Sequence, residues 1–245
     1  MRLKNKIAII TGGASGMGRA EAEAFAAEGA TVIVADMNGE MAGEVVAGIC
    51  ASGGVAMAVR TDVTNEADLQ NLVSGTIAQY GRIDILINNA GVFDKYATSL
   101  ETSGKSWDFI FNINVKSVFN LTNLVLPGMI ERGQGTIVNI ASVAGLVAGK
   151  GGAAYTASKH ALIGYTKHLA SVYGRNGIKI NAICPGTIST PLIEASLADI
   201  PTDAIPLNRF GQAGEVAELA VFLASDEAKF MQGAMVPIDG GFTIL

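Results

Sequence analysis

Tyr155 and Lys159 stand four residues apart, a spacing that puts them on one helix face, one turn from each other. A phenol with an ordinary pKa near 10 is a poor base at neutral pH. A neighbouring ammonium favours the phenolate, and any further cation held beside it adds to the effect. Lowering that pKa by about three units takes roughly 4 kcal/mol of differential interaction. A tyrosine tuned in this way can give a proton to, or take one from, an oxygen on a carbonyl or alcohol carbon. Ser142, 13 residues before the tyrosine, offers a hydroxyl that could donate to the same oxygen; as a turn or cap serine it would do nothing chemical. Asn112 and Asn114 sit close together in an otherwise helical pattern, where asparagine costs propensity, and an exposed helix face is the plain explanation of both.

A second cluster lies near the start of the chain. Thr11 is followed by Gly12, Gly13, Ala14, Ser15, Gly16, Met17 and Gly18. Glycines there let the backbone turn sharply and come close to a pyrophosphate, while the next helix offers free N–H groups and a positive dipole end. A glycine run alone is weak evidence; between a strand and a helix it has the context a dinucleotide site requires. Asp36 closes the next apolar run, 24 residues after Gly12. Its carboxylate can accept both hydroxyls of an adenosine ribose and would repel a 2′-phosphate, so it favours NAD (NADH) over NADP; alone, it could be a solvated strand-end acid or a cap. Asp62 with Val63, and Asn88 with Asn89, Ala90 and Gly91, end two further runs, where turn chemistry would serve equally well.

The elements that position these residues alternate regularly. Short, nearly continuous apolar runs at 7–10, 31–35, 55–59, 83–87, 136–140, 179–183 and 235–238 fit parallel strands covered on both faces. Helical patterns fill 19–28, 65–80, 106–126 (before Pro127), 154–173 and 214–224. Strand–helix alternation of this kind predicts an α/β fold: a Rossmann-type, doubly wound parallel sheet of seven strands with helices on both faces. No linker or repeat interrupts it, so the expectation is one domain over 1–245. The stretch 187–212 lacks periodicity and holds three of the six prolines, as a substrate loop or lid would.

Composition narrows the partners. The net charge is −5 and no long basic run exists, which argues against nucleic acid. No stretch of about 18 uninterrupted apolar residues and no signal-like start are present, so the expectation is a cytoplasmic protein without a membrane partner. Cys50 and Cys184 lack metal-like spacing and read as small buried hydrophobes; no metal is expected.

Together, the Thr11–Gly18 run, the Asn88–Gly91 run, Asn114, Ser142, Tyr155 with Lys159, and Pro185-Gly186 occur in an order and spacing that resemble the short-chain dehydrogenase/reductase family, across essentially the whole chain. The resemblance implies a catalytic tetrad of Asn114, Ser142, Tyr155 and Lys159. Tyr155 would be the general acid–base, Ser142 would orient the carbonyl, Lys159 would hold the nicotinamide ribose and lower the tyrosine pKa, and Asn114 would hold a proton-relaying water. It implies cofactor contacts from Gly12, Ser15, Gly16, Met17, Gly18, Asp36, Asp62, Val63, Asn88, Ala90, Gly91, Tyr155, Lys159, Pro185, Gly186, Ile188 and Thr190, and a homotetramer.

The activity expected is NAD(H)-dependent interconversion of a secondary alcohol and a ketone. The small-molecule carbonyl/alcohol substrate would meet Ser142, Ala144, Leu146, Tyr155 and Leu192, with Phe93 and the stretch to Phe210 nearby and Lys95 and Lys150 at the rim. A 3-oxoacyl-(acyl carrier protein) reductase is the narrower rival, for which Arg132 and Arg175 stand where the resemblance would put a carrier's contacts. A non-catalytic nucleotide sensor would carry a broken tetrad, and this one is whole. A sugar-nucleotide epimerase needs a larger C-terminal domain than the 60 residues after Pro185 allow.

Overall fold

The computed structural model describes residues 1–197 and 200–244; Ala198 and Asp199, within the expected loop at 187–212, lie outside the described residues. The chain runs β1 (Ile7–Thr11), α1 (Gly16–Ala27), β2 (Thr31–Asp36), α2 (Gly39–Ala51), β3 (Val55–Arg60), α3 (Glu66–Tyr80), β4 (Ile85–Asn88), α4 (Gly104–Phe111), a π-helical turn (Asn112–Lys116), α5 (Ser117–Arg132), β5 (Gly135–Ile140), α6 (Ala153–Tyr173), β6 (Ile178–Pro185), β7 (Ile188–Ser189), α7 (Glu194–Leu197), β8 (Gly211–Gln212), α8 (Ala213–Ala224) and β9 (Met235–Ile238). Seven strands form one parallel sheet in the order β3-β2-β1-β4-β5-β6-β9; β7 and β8 pair separately. The order reverses between β1 and β4, and the crevice outside the strand ends at such a reversal is where ligands bind in open α/β sheets.

Strand alternation splits the core in two. Ala8, Ile10, Val32 and Val34 face α1, α2 and α8, meeting Phe25, Val45 and Val221. Ile7, Ile9, Ile33 and Leu86 face the other way, meeting Leu69, Leu72, Leu121 and Met129 of α3 and α5. Fully burying a side chain such as Phe25 stabilises the fold by about 1.5–3 kcal/mol.

Four expectations need correction. α2 is not among the expected helices; its apolar positions Ala42, Val45 and Ile49 are buried at helical spacing and Asn38 caps it by accepting from Met41 N at 3.1 Å, but three glycines dilute the pattern. The helix expected to stop before Pro127 continues to Arg132, because Met129 is buried in the core and the Arg132 guanidinium donates to Ile83 O at 2.5 Å. Cys50 is exposed on α2, whereas Cys184 is buried. The stretch 187–212 is not wholly irregular, since it contains β7, α7 and β8. The run Gly104–Arg132 is long and apolar enough to cross a membrane by length and composition, but its Leu121, Val125 and Met129 are spent on the sheet.

Candidate active site

The glycine turn after β1 is built by close approach. Gly12 and Gly16 adopt φ of +64° and +53°, the left-handed region that favours glycine. A Cβ on Gly18 would lie 2.1 Å from Gly12 O, so only glycine lets α1 pack this near the strand. Thr11 Oγ1 ties the turn to β4, accepting from the N–H groups of Asn89 and Ala90 at 3.1 Å each, and Asn89 Nδ2 donates to Thr11 O at 2.8 Å.

A cleft of about 450 Å³ opens above these strand ends. Gly12, Ser15, Gly16, Met17, Asp36, Asp62, Val63, Ala90, Gly91, Thr190 and Leu192 all border it. Asp36 accepts from Ala14 N at 3.0 Å and from Asn38 N at 2.9 Å, which fixes its carboxylate at the edge of the glycine turn. Hydrogen bonds from Thr64 hold the Asp62 carboxyl below its usual range. No lysine or arginine borders the cleft among the described residues, and Arg19 is paired with Glu23 at 2.8 Å.

Some expected residues lie elsewhere. Asn88 turns into the interior, its Nδ2 donating to Asn139 Oδ1 at 2.8 Å, and Asn139 Nδ2 donates in turn to Thr166 Oγ1 at 2.9 Å. Asn89 takes the place at the cleft, within the same Asn88–Gly91 run. Gly18 is buried beneath the turn, Pro185 is buried in β6, and Ile188 is packed into the core. Thr61, Met37 and Ile113 border the cleft without having been singled out; none carries a motif signal.

A second cavity, of about 160 Å³, holds the chemistry-bearing side chains. Ser142, Tyr155, Gly186 and Leu192 line it with Phe93, Tyr96, Ile193, Ile200 and Phe242. Lys150 also lines it, its Nζ 3.6 Å from the centre of the Phe242 ring. Val143 stands where Ala144 and Leu146 were expected; Ala144 is fully buried and Leu146 packs behind, toward Val118 and Leu162. Lys95 is exposed outside it.

Burial pushes the Tyr155 phenol up to about 12, with Ser142 pulling the other way and Asp94 and Tyr96 adding to the rise. Burial also lowers Lys159 to about 8. Lys159 Nζ donates to Ile140 O at 2.8 Å and lies 5.5 Å from the Tyr155 ring centre. The expected lowering of the tyrosine by the lysine does not occur here: desolvation dominates, and Ser142 is what pulls the phenol down. Asn114 sits in the π-helical turn between α4 and α5, a distortion frequent at functional sites. Its Oδ1 accepts from Val92 N at 2.9 Å, and its Nδ2 donates to Val92 O at 3.0 Å and Ser158 Oγ at 3.2 Å. A Cβ on Gly91 would come within 3.4 Å of Asn114 Oδ1 and 3.7 Å of Lys159 Nζ, so Gly91 links cleft and chemistry.

A dinucleotide-type cleft, a strand-order reversal and a Tyr–Ser–Lys group beside it define an oxidoreductase class. The chain belongs to the short-chain dehydrogenase/reductase family. The family model described as enoyl-(acyl carrier protein) reductase matches residues 12–243. The 3-oxoacyl-(acyl-carrier-protein) reductase FabG of Thermotoga maritima is 40% identical over 100% of both chains. The cyclopentanol dehydrogenase of Comamonas sp. is 41% identical over 99% of this chain and 98% of its own. A solved structure from Beutenbergia cavernae, described as an NAD(P)-dependent gluconate 5-dehydrogenase with bound NADP, matches at a TM-score of 0.93 with 34% identity, over 99% of this chain and 98% of its own. The protein is thus an oxidoreductase of a family that works with nicotinamide cofactors on small molecules.

Proposed function

We propose that the protein interconverts an uncharged secondary alcohol and its ketone with NAD(H), using Tyr155 as general acid–base. The observation that carries this reading is that Tyr155 and Ser142 line one cavity, which adjoins the nucleotide cleft through the shared Leu192. The cofactor fits the cleft: the glycine turn leaves room for backbone to approach a pyrophosphate, and Asp36 and Asp62 face where an adenosine would lie. Two carboxylates, with no bordering cation among the described residues, favour a free ribose hydroxyl over a 2′-phosphate, although the Beutenbergia relative carries NADP.

The nicotinamide, when bound, supplies or receives the hydride. Ser142 Oγ accepts from Ala144 N at 3.1 Å, and its hydroxyl lies within hydrogen-bond reach of the Tyr155 phenol, so both groups can be directed at one substrate oxygen. Tyr155, a neutral phenol at neutral pH, donates its proton to that oxygen during reduction and recovers it through Lys159 and the Asn114 side of the site. Phe93, Ile193, Ile200 and Phe242 make the cavity largely apolar, which suits a cyclic or short-chain ketone; the cyclopentanol-oxidising relative points the same way. The carrier-protein role is the weaker reading, since the Asp36 carboxylate in the cleft favours NAD(H) and counts against it. We read the chain as one domain with a substrate loop at about 187–212, working as a cytoplasmic homotetramer; exposed Phe109, Phe119 and Val172 on α4 to α6 offer an apolar face for subunit contact.

The test is turnover of NADH and NADPH against cyclopentanone, diketones and an acyl thioester, with Tyr155→Phe as control. NADH-linked ketone reduction that falls on the order of a thousandfold in the variant supports the reading. Turnover restricted to thioesters, or retained in Tyr155→Phe, refutes it.

A further inference from the structure

The helix that carries Tyr155 begins at Gly152, which has no side chain to cap the free N–H groups of the first turn. That work is done by a distant loop. Asp94 Oδ1 accepts from Gly152 N at 2.9 Å and Oδ2 accepts from Tyr155 N at 2.8 Å. Three residues on, Ala97 O accepts from Ala153 N at 2.9 Å. A Cβ on Gly152 would lie 2.5 Å from both Asp94 Oδ1 and Ala97 O, so glycine here permits the close approach. The Phe93 ring meets the Tyr155 ring edge-on at 5.0 Å and is itself met edge-on by Tyr96 at 4.9 Å. Lys95 and Tyr96 adopt φ of +53° and +62°, a conformation non-glycine residues hold only where surroundings over-determine it.

We propose that Asp94 is a positioning residue, which clamps the first turn of α6 and so sets where the Tyr155 hydroxyl stands in the chemical cavity; this rests on the reading of Tyr155 as the acid–base. The clamp acts in two ways. It fixes the backbone of Tyr155 directly, through the tyrosine's own N–H. It also places a carboxylate near the phenol, which favours the protonated form. The other titratable groups around Tyr155 are Tyr96 on the same loop, Lys159 one turn along α6, and Lys150 on the approach to the helix; Cys184 of β6 faces Lys159. Among these, Asp94 alone binds the tyrosine's backbone.

The experiment compares the full-length protein with Asp94→Asn, Asp94→Ala and Tyr155→Phe. The ultraviolet phenolate difference between each Tyr155 protein and a matching Tyr155→Phe background isolates the titration of Tyr155 and needs no substrate. Turnover of cyclopentanone with NADH gives kcat and KM, and urea unfolding gives stability. Asp94→Asn keeps the size and one acceptor, so it stays informative where Asp94→Ala unfolds. The expected result is a Tyr155 midpoint moved down in Asp94→Asn, with kcat reduced on the order of tenfold or more in either variant and NADH affinity kept within about twofold. An unmoved midpoint and unchanged kcat, with only the urea midpoint lowered, would make Asp94 a fold-stabilising cap and overturn the proposal. Turnover retained in Tyr155→Phe with the wild-type Asp94 would instead overturn the acid–base reading beneath it.

Discussion

Replacing Glu21 with glutamine should stabilise the protein more near neutral pH than in mild acid. Glu21 lies on α1, fully buried, and neither carboxyl oxygen has a hydrogen-bond partner. Desolvation alone pushes its pKa from 4.5 up to about 8. Between those two values the folded state holds a proton that the unfolded state has released, so stability falls as pH rises through the window. At 1.36 kcal/mol per unit, the carboxyl costs about 3 kcal/mol at about pH 7 and about 1 kcal/mol at about pH 5. Glutamine does not titrate and keeps the shape, so its advantage over the wild type should grow by about 2 kcal/mol between these conditions. For a chain of this length that is roughly 4–8 °C in Tm. Urea unfolding of both proteins at the two pH values gives the difference directly. A difference that stays constant within about 0.5 kcal/mol would mean that Glu21 finds a partner or water in solution, and would refute the desolvation argument.

Asp36→Ala removes the carboxylate at the edge of the glycine turn, and should narrow the preference for NADH over NADPH by on the order of tenfold, read as a ratio of kcat/KM values. An unchanged ratio would place the discrimination elsewhere. Gly18→Ala puts a Cβ 2.1 Å from Gly12 O, a backbone atom that cannot step aside without moving the turn. It should cost about 3 kcal/mol of stability and most of the NADH affinity; near-wild-type unfolding and binding would show that the turn is slacker than its packing implies.

The strands were legible because parallel strands buried on both faces read as short apolar runs, and the seven expected runs coincide with the seven strands of the sheet. The helices were less so wherever burial overrode local preference. Pro127 would end an isolated helix, but the burial of Met129 beyond it keeps the chain helical. At the site, residues named by type and spacing do gather: Ser142 and Tyr155 share a cavity, and Gly12, Asp36 and Gly91 share the cleft. The side-chain directions were not legible. Asn88 and Asn89 are neighbours of identical chemistry, and only the end of β4 between them decides that one enters the core and the other meets the glycine turn. Asp94 was missed because its partners lie 58 and 61 residues away, beyond any local pattern.

Among the described residues, the two cavities share a single bordering residue, Leu192. A lineage, or an engineer, can therefore rewrite the adenosine end of the cleft, at Asp36, and the ketone-facing wall, at Phe242, as nearly separate texts, because positions without common partners contribute nearly additively. Trading one coenzyme for another need not reset the substrate range. Leu192 is the exception: a change there is read by both cavities at once, and it is the position at which such independent histories would have to be reconciled.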